Sequence, residues 1–202
     1  IEMSSGGSLN NTGGSVSLIS GYGEATSSGS FTIQTAISDV SGVSGSMNVE
    51  TGGSSAGGTG TVRVFTGSAT SGAGGSISLA VGNGDTASGG YIAIAAGLST
   101  SATGGAISMI SGQGSTSSSG TFTISTNVGG GSTGGMSGAL SLKTGDSSNG
   151  NSGDIILHSG TGMKGAGGNV SIAVGAGGYG FGGNLVLSAG GCLLYTSDAA
   201  DE

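Results

Sequence analysis

The sequence predicts an all-β fold: a narrow, single-strand-per-repeat parallel β-solenoid (β-helix or β-roll) of about 13 coils of about 15 residues. Three observations predict it. A pair of apolar residues separated by one position recurs along the chain, the residues around each pair alternate between apolar and polar, and glycines bracket each alternating run.

The repeat is plainest in residues 74–118, which divide into "GGSISLAVGNGDTAS", "GGYIAIAAGLSTSAT" and "GGAISMISGQGSTSS". We number each repeat so that Gly74 is position 1, and call the apolar residues at positions 4 and 6 the anchors. The anchors are Ile1/Met3, Val16/Leu18, Phe31/Ile33, Met47/Val49, Val62/Val64, Ile77/Leu79, Ile92/Ile94, Ile107/Met109, Phe122/Ile124, Leu140/Leu142, Ile155/Leu157, Val170/Ile172 and Leu185/Leu187. Ten of the twelve spacings are fifteen residues, one is sixteen and one is eighteen. A disordered Gly/Ser linker has no reason to hold this register.

Alternation within each repeat predicts the strand, because positions 4, 6 and often 8 would face one way and positions 3, 5 and 7 the other. Position 2 is glycine in every complete repeat and position 9 is glycine in most. Glycine allows positive φ and close backbone approach, so these positions are expected to be corners. Stacking successive strands at about 4.8 Å would bury the anchors and pair Leu79 with Ile94 in parallel.

Charged residues avoid the predicted interior, where an ionised side chain would be costly. Positions 3, 5 or 7 hold Glu2, Glu50, Arg63, Lys143, Asp154 and His158, and the connections hold Glu24, Asp39, Asp85, Asp146 and Lys164. Lys143 and His158 share position 7 of adjacent repeats, so stacking would make them neighbours. Proline is absent, as expected where each amide donates to a neighbouring strand.

The two ends of the chain depart from the pattern. Residues 192–202, "CLLYTSDAADE", look like the in-frame translation of a transposase-type sequencing adaptor, so the solenoid domain is expected to comprise residues 1–191. Without that segment the chain has no cysteine, and its net charge is about −4 instead of −7. Residue 1 is already an anchor and neither end has a cap, so we expect an internal fragment of a longer array.

No residue pattern supports a catalytic, cofactor-binding or metal-binding site, so no enzyme activity and no cofactor are expected. His158 is the only histidine, and a triad with Asp154 and a serine lacks any identifiable supporting residue. Asp85 and Asp146 lie in loops that resemble calcium-binding Gly/Asp-rich repeats, but most connections lack an acid. The glycine-rich loops lack the phosphate-binding "GxxxxGK[ST]" pattern.

The composition limits the classes of partner that the chain is expected to bind. Three basic residues predict no nucleic-acid surface, and no apolar run is long enough for a membrane helix. Asn10 and Asn169 lie in N-glycosylation sequons. Thr121 and Thr123 suit the flat threonine ladder of an ice-binding face, but the same outward columns are interrupted by Arg63, Tyr91, Asp154 and Ile156.

With Gly-Gly-x-apolar-x-apolar repeats over residues 1–191, the chain resembles the Gly/Ser/Thr-rich β-solenoid repeats of adhesins, autotransporter passengers and fibre shafts. The resemblance implies a structural or adhesive shaft or spacer of a larger protein, extracellular or at the cell surface. Its expected partners are neighbouring repeats of the same longer chain, with surface glycans and other copies of itself as further candidates. The alternative is an ice-binding or glycan-binding solenoid. A pectate-lyase-like enzyme is a weaker option, because such enzymes use wider coils and clustered Asp, Lys and Arg.

Overall fold

The computed structural model describes residues 1–39, 41–130 and 134–190, and these residues contain no helix and no strand. The chain divides into two units, Ile1–Ala95 and Ala96–Glu202. We call the residues from position 8 of one repeat to position 2 of the next a connection, and positions 3 to 7 an anchor segment. Each unit contains six complete connections.

The predicted all-β solenoid of about 13 coils is wrong. The described residues form no β-ladder, and Leu79 and Ile94, which were expected to pair in parallel, are 74% and 64% exposed. Ile92 is the least exposed anchor at 49%, and no side chain in the described part of the chain is buried. The anchors therefore do not form a core within either unit.

The connections explain why successive repeats do not stack. In a solenoid with one strand per coil, each connection must carry the chain back over the length of the strand, about 23 Å for positions 2 to 9. Here the connection closes on itself instead, since the amide of Gly105 donates to the carbonyl of Gly97 at 2.9 Å. Each anchor segment thus begins beside the end of the preceding one, and its backbone has no stacked neighbour to pair with.

The sequence repeat is nevertheless present in the backbone as a series of bends. Each bend lies five to seven residues before a position-4 anchor, and this offset holds on both sides of the two longer spacings. The bends occupy residues 9–11, 24–26, 41–42, 55–57, 70–72, 85–87, 100–102, 115–117, 148–150, 163–165 and 178–180. The regular feature of the fold is therefore the connection.

Candidate functional site

The most uniform feature of the structure is a contact between the two ends of each connection. A Cβ added to the position-2 glycine would lie 2.8 to 3.8 Å from the position-8 side chain of the preceding repeat. The pairs are Ser5/Gly14, Ser20/Gly29, Thr35/Gly45, Thr51/Gly60, Thr66/Gly75, Val81/Gly90, Ala96/Gly105, Ser111/Gly120, Thr126/Gly138, Thr144/Gly153, Ser159/Gly168 and Val174/Gly183. At Gly14, Gly75, Gly90, Gly105, Gly168 and Gly183 the approach is closer than 3.4 Å and leaves little room for a side chain, whereas at the other six an added Cβ would make an ordinary contact.

Backbone hydrogen bonds close half of these connections. The amide at position 2 donates to the carbonyl at position 9 of the preceding repeat, at 2.8 to 3.4 Å. The donor and acceptor pairs are Gly14/Gly6, Gly29/Gly21, Gly105/Gly97, Gly120/Gly112, Gly168/Gly160 and Gly183/Gly175. The expectation of close backbone approach is confirmed at these glycines, whereas the expectation of positive φ is wrong: the only described glycines with positive φ are Gly42 and Gly134.

Hydroxyl groups at position 8 add a second tie between the ends of some connections. Ser159 Oγ donates to the carbonyl of Gly168 at 2.7 Å. Ser5 Oγ makes the same bond to Gly14 at 2.9 Å, and Thr66 Oγ1 makes it to Gly75 at 3.3 Å. Nine of the thirteen residues at position 8 are Ser or Thr. Position-8 hydroxyls, which the alternation often placed on the same face as the anchors, are thus partly used within the connections.

Serine at position 11 supports the bend that follows it. The hydroxyl oxygen of Ser99 accepts a hydrogen bond from the amide of Ala102 at 3.0 Å. Ser8 accepts from Asn11, and Ser54 from Gly57, also at 3.0 Å. A serine hydroxyl that satisfies a nearby backbone amide favours a turn over a continued strand.

Glycine at position 11 supports the bend in a different way. A Cβ on Gly23 would lie 2.6 Å from the carbonyl oxygen of Ser27 and 2.8 Å from that of Thr26. Gly162 and Gly177 approach the backbone of the following bend just as closely. A side chain at Gly23, Gly162 or Gly177 would collide with main-chain atoms, so these three bends require the missing Cβ, whereas the bend 70–72 forms after Ala69.

The partly buried residues of the described ranges are found only in the connections. They are Ser20, Ser111 and Thr144 at position 8, and Gly23, Ser99 and Gly114 at position 11. The repeat pattern predicted an interior at the anchors, whereas the structure places what little burial it has at small residues beside the bends.

The two longer connections contain both positive-φ glycines. Gly42, with φ +142°, lies in the sixteen-residue spacing, and Gly134, with φ +81°, lies in the eighteen-residue spacing. Thr35 still contacts Gly45, and Thr126 still contacts Gly138. The contact between the two ends of the connection is therefore retained in both longer spacings.

The residues that could have formed a catalytic triad or a calcium site are all exposed. His158 and Asp154 lie on one anchor segment, and Asp85 and Asp146 lie in separate connections. The stacking that would have placed Lys143 beside His158 is not present in the described structure. Over those same ranges, no group of three His, Cys, Asp or Glu side chains is placed to hold a metal ion. Cys192 and the adaptor-like residues 192–202 lie outside the described residues.

One side-chain pair was not anticipated from the sequence. The guanidinium of Arg63 lies over the ring of Phe65, 5.3 Å from its centroid. Such cation–π contacts contribute about 0.5 to 1 kcal/mol at exposed sites. The two residues occupy positions 5 and 7, which share one face in a period-2 pattern. The alternation could therefore have predicted that they lie side by side.

No protein-family model matches the chain, and neither a curated protein nor a solved structure shows significant similarity to it. The described residues include no helix with the length and apolar character needed to cross a membrane.

Proposed function

We propose that this chain is a structural spacer without enzyme activity, a repeat segment of a larger extracellular or cell-surface protein. The observation that carries the proposal is the recurrence of one contact, between positions 8 and 2, at all twelve complete connections. The residue types at positions 3, 5 and 7 of the described repeats differ from one repeat to the next. A spacer needs a repeated structural unit, whereas a catalytic or recognition site needs a defined constellation of side chains.

The exposed surface supports this role. Ser, Thr and Gly dominate the connections, and uncharged hydroxyl groups keep such a surface hydrated without attracting charged partners. Positions 3, 5 and 7 vary widely, and they hold Ser, Thr, Ala, Asn, Tyr, Ile and Phe together with isolated charged residues such as Glu50, Arg63, Lys143 and Asp154. Neighbouring repeats of a longer chain are the partners proposed first, followed by surface glycans and further copies of the chain.

The spacer role is tested by changing the number of repeats. Inserting one, two or three copies of residues 74–88 after Ser88 keeps the repeat frame, and small-angle X-ray scattering then measures the radius of gyration. We expect a regular increase with each added repeat, because each insert brings one more closed connection. A matched control carries the same inserts with valine in place of each position-2 glycine, which blocks the contact. Equal dimensions for all insert numbers, or equal increments in the control, would overturn the proposal.

The binding alternatives predict a different result on the unmodified chain. A glycan panel and a measurement of thermal hysteresis test adhesion and ice binding directly. A spacer shows neither saturable glycan binding nor thermal hysteresis at micromolar protein. Either activity, lost when the residues of one face are changed, would replace the spacer role with a recognition role. Antibodies raised against the chain should label intact, non-permeabilised cells of the organism that encodes it.

A further inference from the structure

The connections are of two kinds, and the side chain at position 8 separates them. Ten of the twelve complete connections join repeats at the regular spacing of fifteen residues, and all ten have glycine at positions 9 and 2. In six of these ten the position-2 amide donates to the position-9 carbonyl, and in the other four the described structure contains no such bond. The six begin with Ser5, Ser20, Ala96, Ser111, Ser159 and Val174, and the four begin with Thr51, Thr66, Val81 and Thr144.

Branching at Cβ is the chemical property that divides the two sets. All five connections that begin with Ser or Ala make the backbone bond, whereas only one of the five that begin with Thr or Val makes it. That one begins with Val174, and its bond, at 3.4 Å, equals the longest of the six. The hydroxyl group is not the cause, because Thr66 donates its hydroxyl to the carbonyl of Gly75 at 3.3 Å and yet lacks the backbone bond. Ala96 has no hydroxyl, and its connection makes the bond at 2.9 Å.

The residue at position 11 does not explain the division. Ser54 and Ser99 occupy this position in two connections, and each accepts a backbone hydrogen bond at 3.0 Å that supports the following bend. Only the connection of Ser99 also has the bond between positions 2 and 9. These two connections differ at position 8, where one has Thr51 and the other has Ala96.

The γ carbon of a branched side chain is the atom nearest to the incoming position-2 glycine. A Cβ added to Gly60 would lie 3.4 Å from the γ methyl carbon of Thr51, and no backbone atom of the position-9 residue lies within 4 Å of it. At Gly105 the nearest atoms are instead the backbone nitrogen of Gly97 at 3.1 Å and the Cβ of Ala96 at 3.2 Å. A serine can turn its single γ atom aside, whereas threonine and valine carry two γ atoms and have a restricted χ1. A γ carbon therefore holds the two ends of a branched connection apart.

We propose that branching at position 8 decides whether a connection is tied by its backbone. A connection that begins with Ser or Ala draws its ends together through the bond between positions 2 and 9. One that begins with Thr or Val lacks this bond or makes it at the long end of the range. Three such connections follow one another within residues 51–90, which makes this stretch a run of connections that open readily. The inference concerns each connection by itself and does not depend on the spacer function.

The test uses the full chain and exchanges branched and unbranched side chains at two connections. Ser111→Thr adds a methyl group to a connection in which Gly120 donates to Gly112 at 2.9 Å, and Thr51→Ser removes one from a connection without the bond. Ser111→Ala and Thr51→Val are the matched controls, because each deletes the hydroxyl and leaves the branching unchanged. The NMR scalar coupling across the hydrogen bond, between the position-2 nitrogen and the position-9 carbonyl carbon, detects the bond directly. Amide hydrogen exchange measures how often the bond opens.

Ser111→Thr should abolish the coupling and speed exchange of the Gly120 amide about fivefold, the factor expected for one net hydrogen bond, whereas Ser111→Ala should change neither. Thr51→Ser should create the coupling between Gly60 and Gly52 and slow exchange of the Gly60 amide by a similar factor, and Thr51→Val should not. Loss of the Gly120 bond in Ser111→Ala would assign the bond to the hydroxyl and overturn the inference. A Gly120 bond that survives in Ser111→Thr, or a Gly60 amide that responds equally to both Thr51 variants, would overturn it as well.

Discussion

The amide of Gly120 donates a 2.9 Å hydrogen bond to the carbonyl of Gly112, eight residues earlier in the chain. The pair one repeat earlier, Gly105 and Gly97, makes the same bond at the same distance. These bonds hold the two ends of a connection together, so the chain turns where a solenoid coil would have travelled back. The connection is consequently the structural unit that the fifteen-residue period encodes.

The first prediction concerns Gly23, which is at position 11 of a connection supported by glycine. Gly23→Ala should open the connection, because its Cβ would lie 2.6 Å from the carbonyl oxygen of Ser27. The amide of Gly29, which donates to Gly21 at 2.8 Å, should then lose a hydrogen bond with a net contribution of about 1 kcal/mol. Its NMR temperature coefficient should move toward the value of a solvated amide.

Gly21→Ala is the matched control, since a Cβ on Gly21 meets no atom within 4 Å. It should leave the Gly29 amide unchanged, and by reducing the freedom of the open chain it should stabilise the connection slightly. A Gly29 temperature coefficient that shifts equally in the two variants would show that position 11 has no special role.

The second prediction concerns connections supported by serine. Ser99→Ala removes the hydroxyl that accepts a hydrogen bond from the amide of Ala102 at 3.0 Å. The free energy that stabilises the bend 100–102 should therefore fall by about 0.5 to 1.5 kcal/mol. Ser99→Asp should restore the bend, because aspartate side chains satisfy nearby amides in the same manner. The Ala102 amide chemical shift and its exchange rate report the change. Ser101→Ala serves as the control, and an Ala102 response to it as large as that to Ser99→Ala would contradict the assignment.

Much of the connection could be predicted from the sequence. The period, the two longer spacings and the requirement for glycine at position 2 all follow from the repeat, and the contact between Thr66 and Gly75 has the expected physical basis in close approach. Alternation indicates which face of a strand is apolar, but it does not indicate which other strand lies beside it. The alternation at Ile77 and Leu79 fits both a strand paired in a sheet and an extended segment with no neighbour. Only the path of the connection decides which of these two structures forms.

The way in which each bend is supported could not be predicted, because it depends on single residues within the connection. Apart from Ala69, which precedes the bend 70–72, position 11 holds Ser in some repeats and Gly in others, and from sequence this looks like ordinary loop variation. The structure separates the two as different supports for the same bend, with Ser99 accepting a hydrogen bond and Gly23 making room for the backbone. A serine three residues before the end of a bend was the available signal.

The third prediction concerns the stability of the isolated chain. With no buried side chain in the described residues, little apolar burial offsets the conformational entropy of folding. Differential scanning calorimetry on a dilute sample should therefore show no cooperative transition, whereas a packed domain of this length would absorb about 140 kcal/mol. A sharp endotherm that is independent of protein concentration would contradict this expectation. A transition that emerges only as concentration rises would instead report association.

The last prediction concerns the longest connection, which joins Thr126 to Gly138. Gly134→Ala should strain this connection by about 1 to 2 kcal/mol, because φ at Gly134 is +81° and an alanine Cβ disfavours that region. The contact between Gly138 and the methyl carbon of Thr126, for which an added Cβ would lie at 3.7 Å, should weaken in consequence. The nuclear Overhauser effect between the Thr126 methyl and Gly138 α protons measures that contact. Gly130→Ala lies in the same connection, has open space around its Cβ and lacks a positive φ, so it should leave the signal intact. A persistent signal in Gly134→Ala, or equal loss in both variants, would show that the left-handed glycine is not what closes the longer connection.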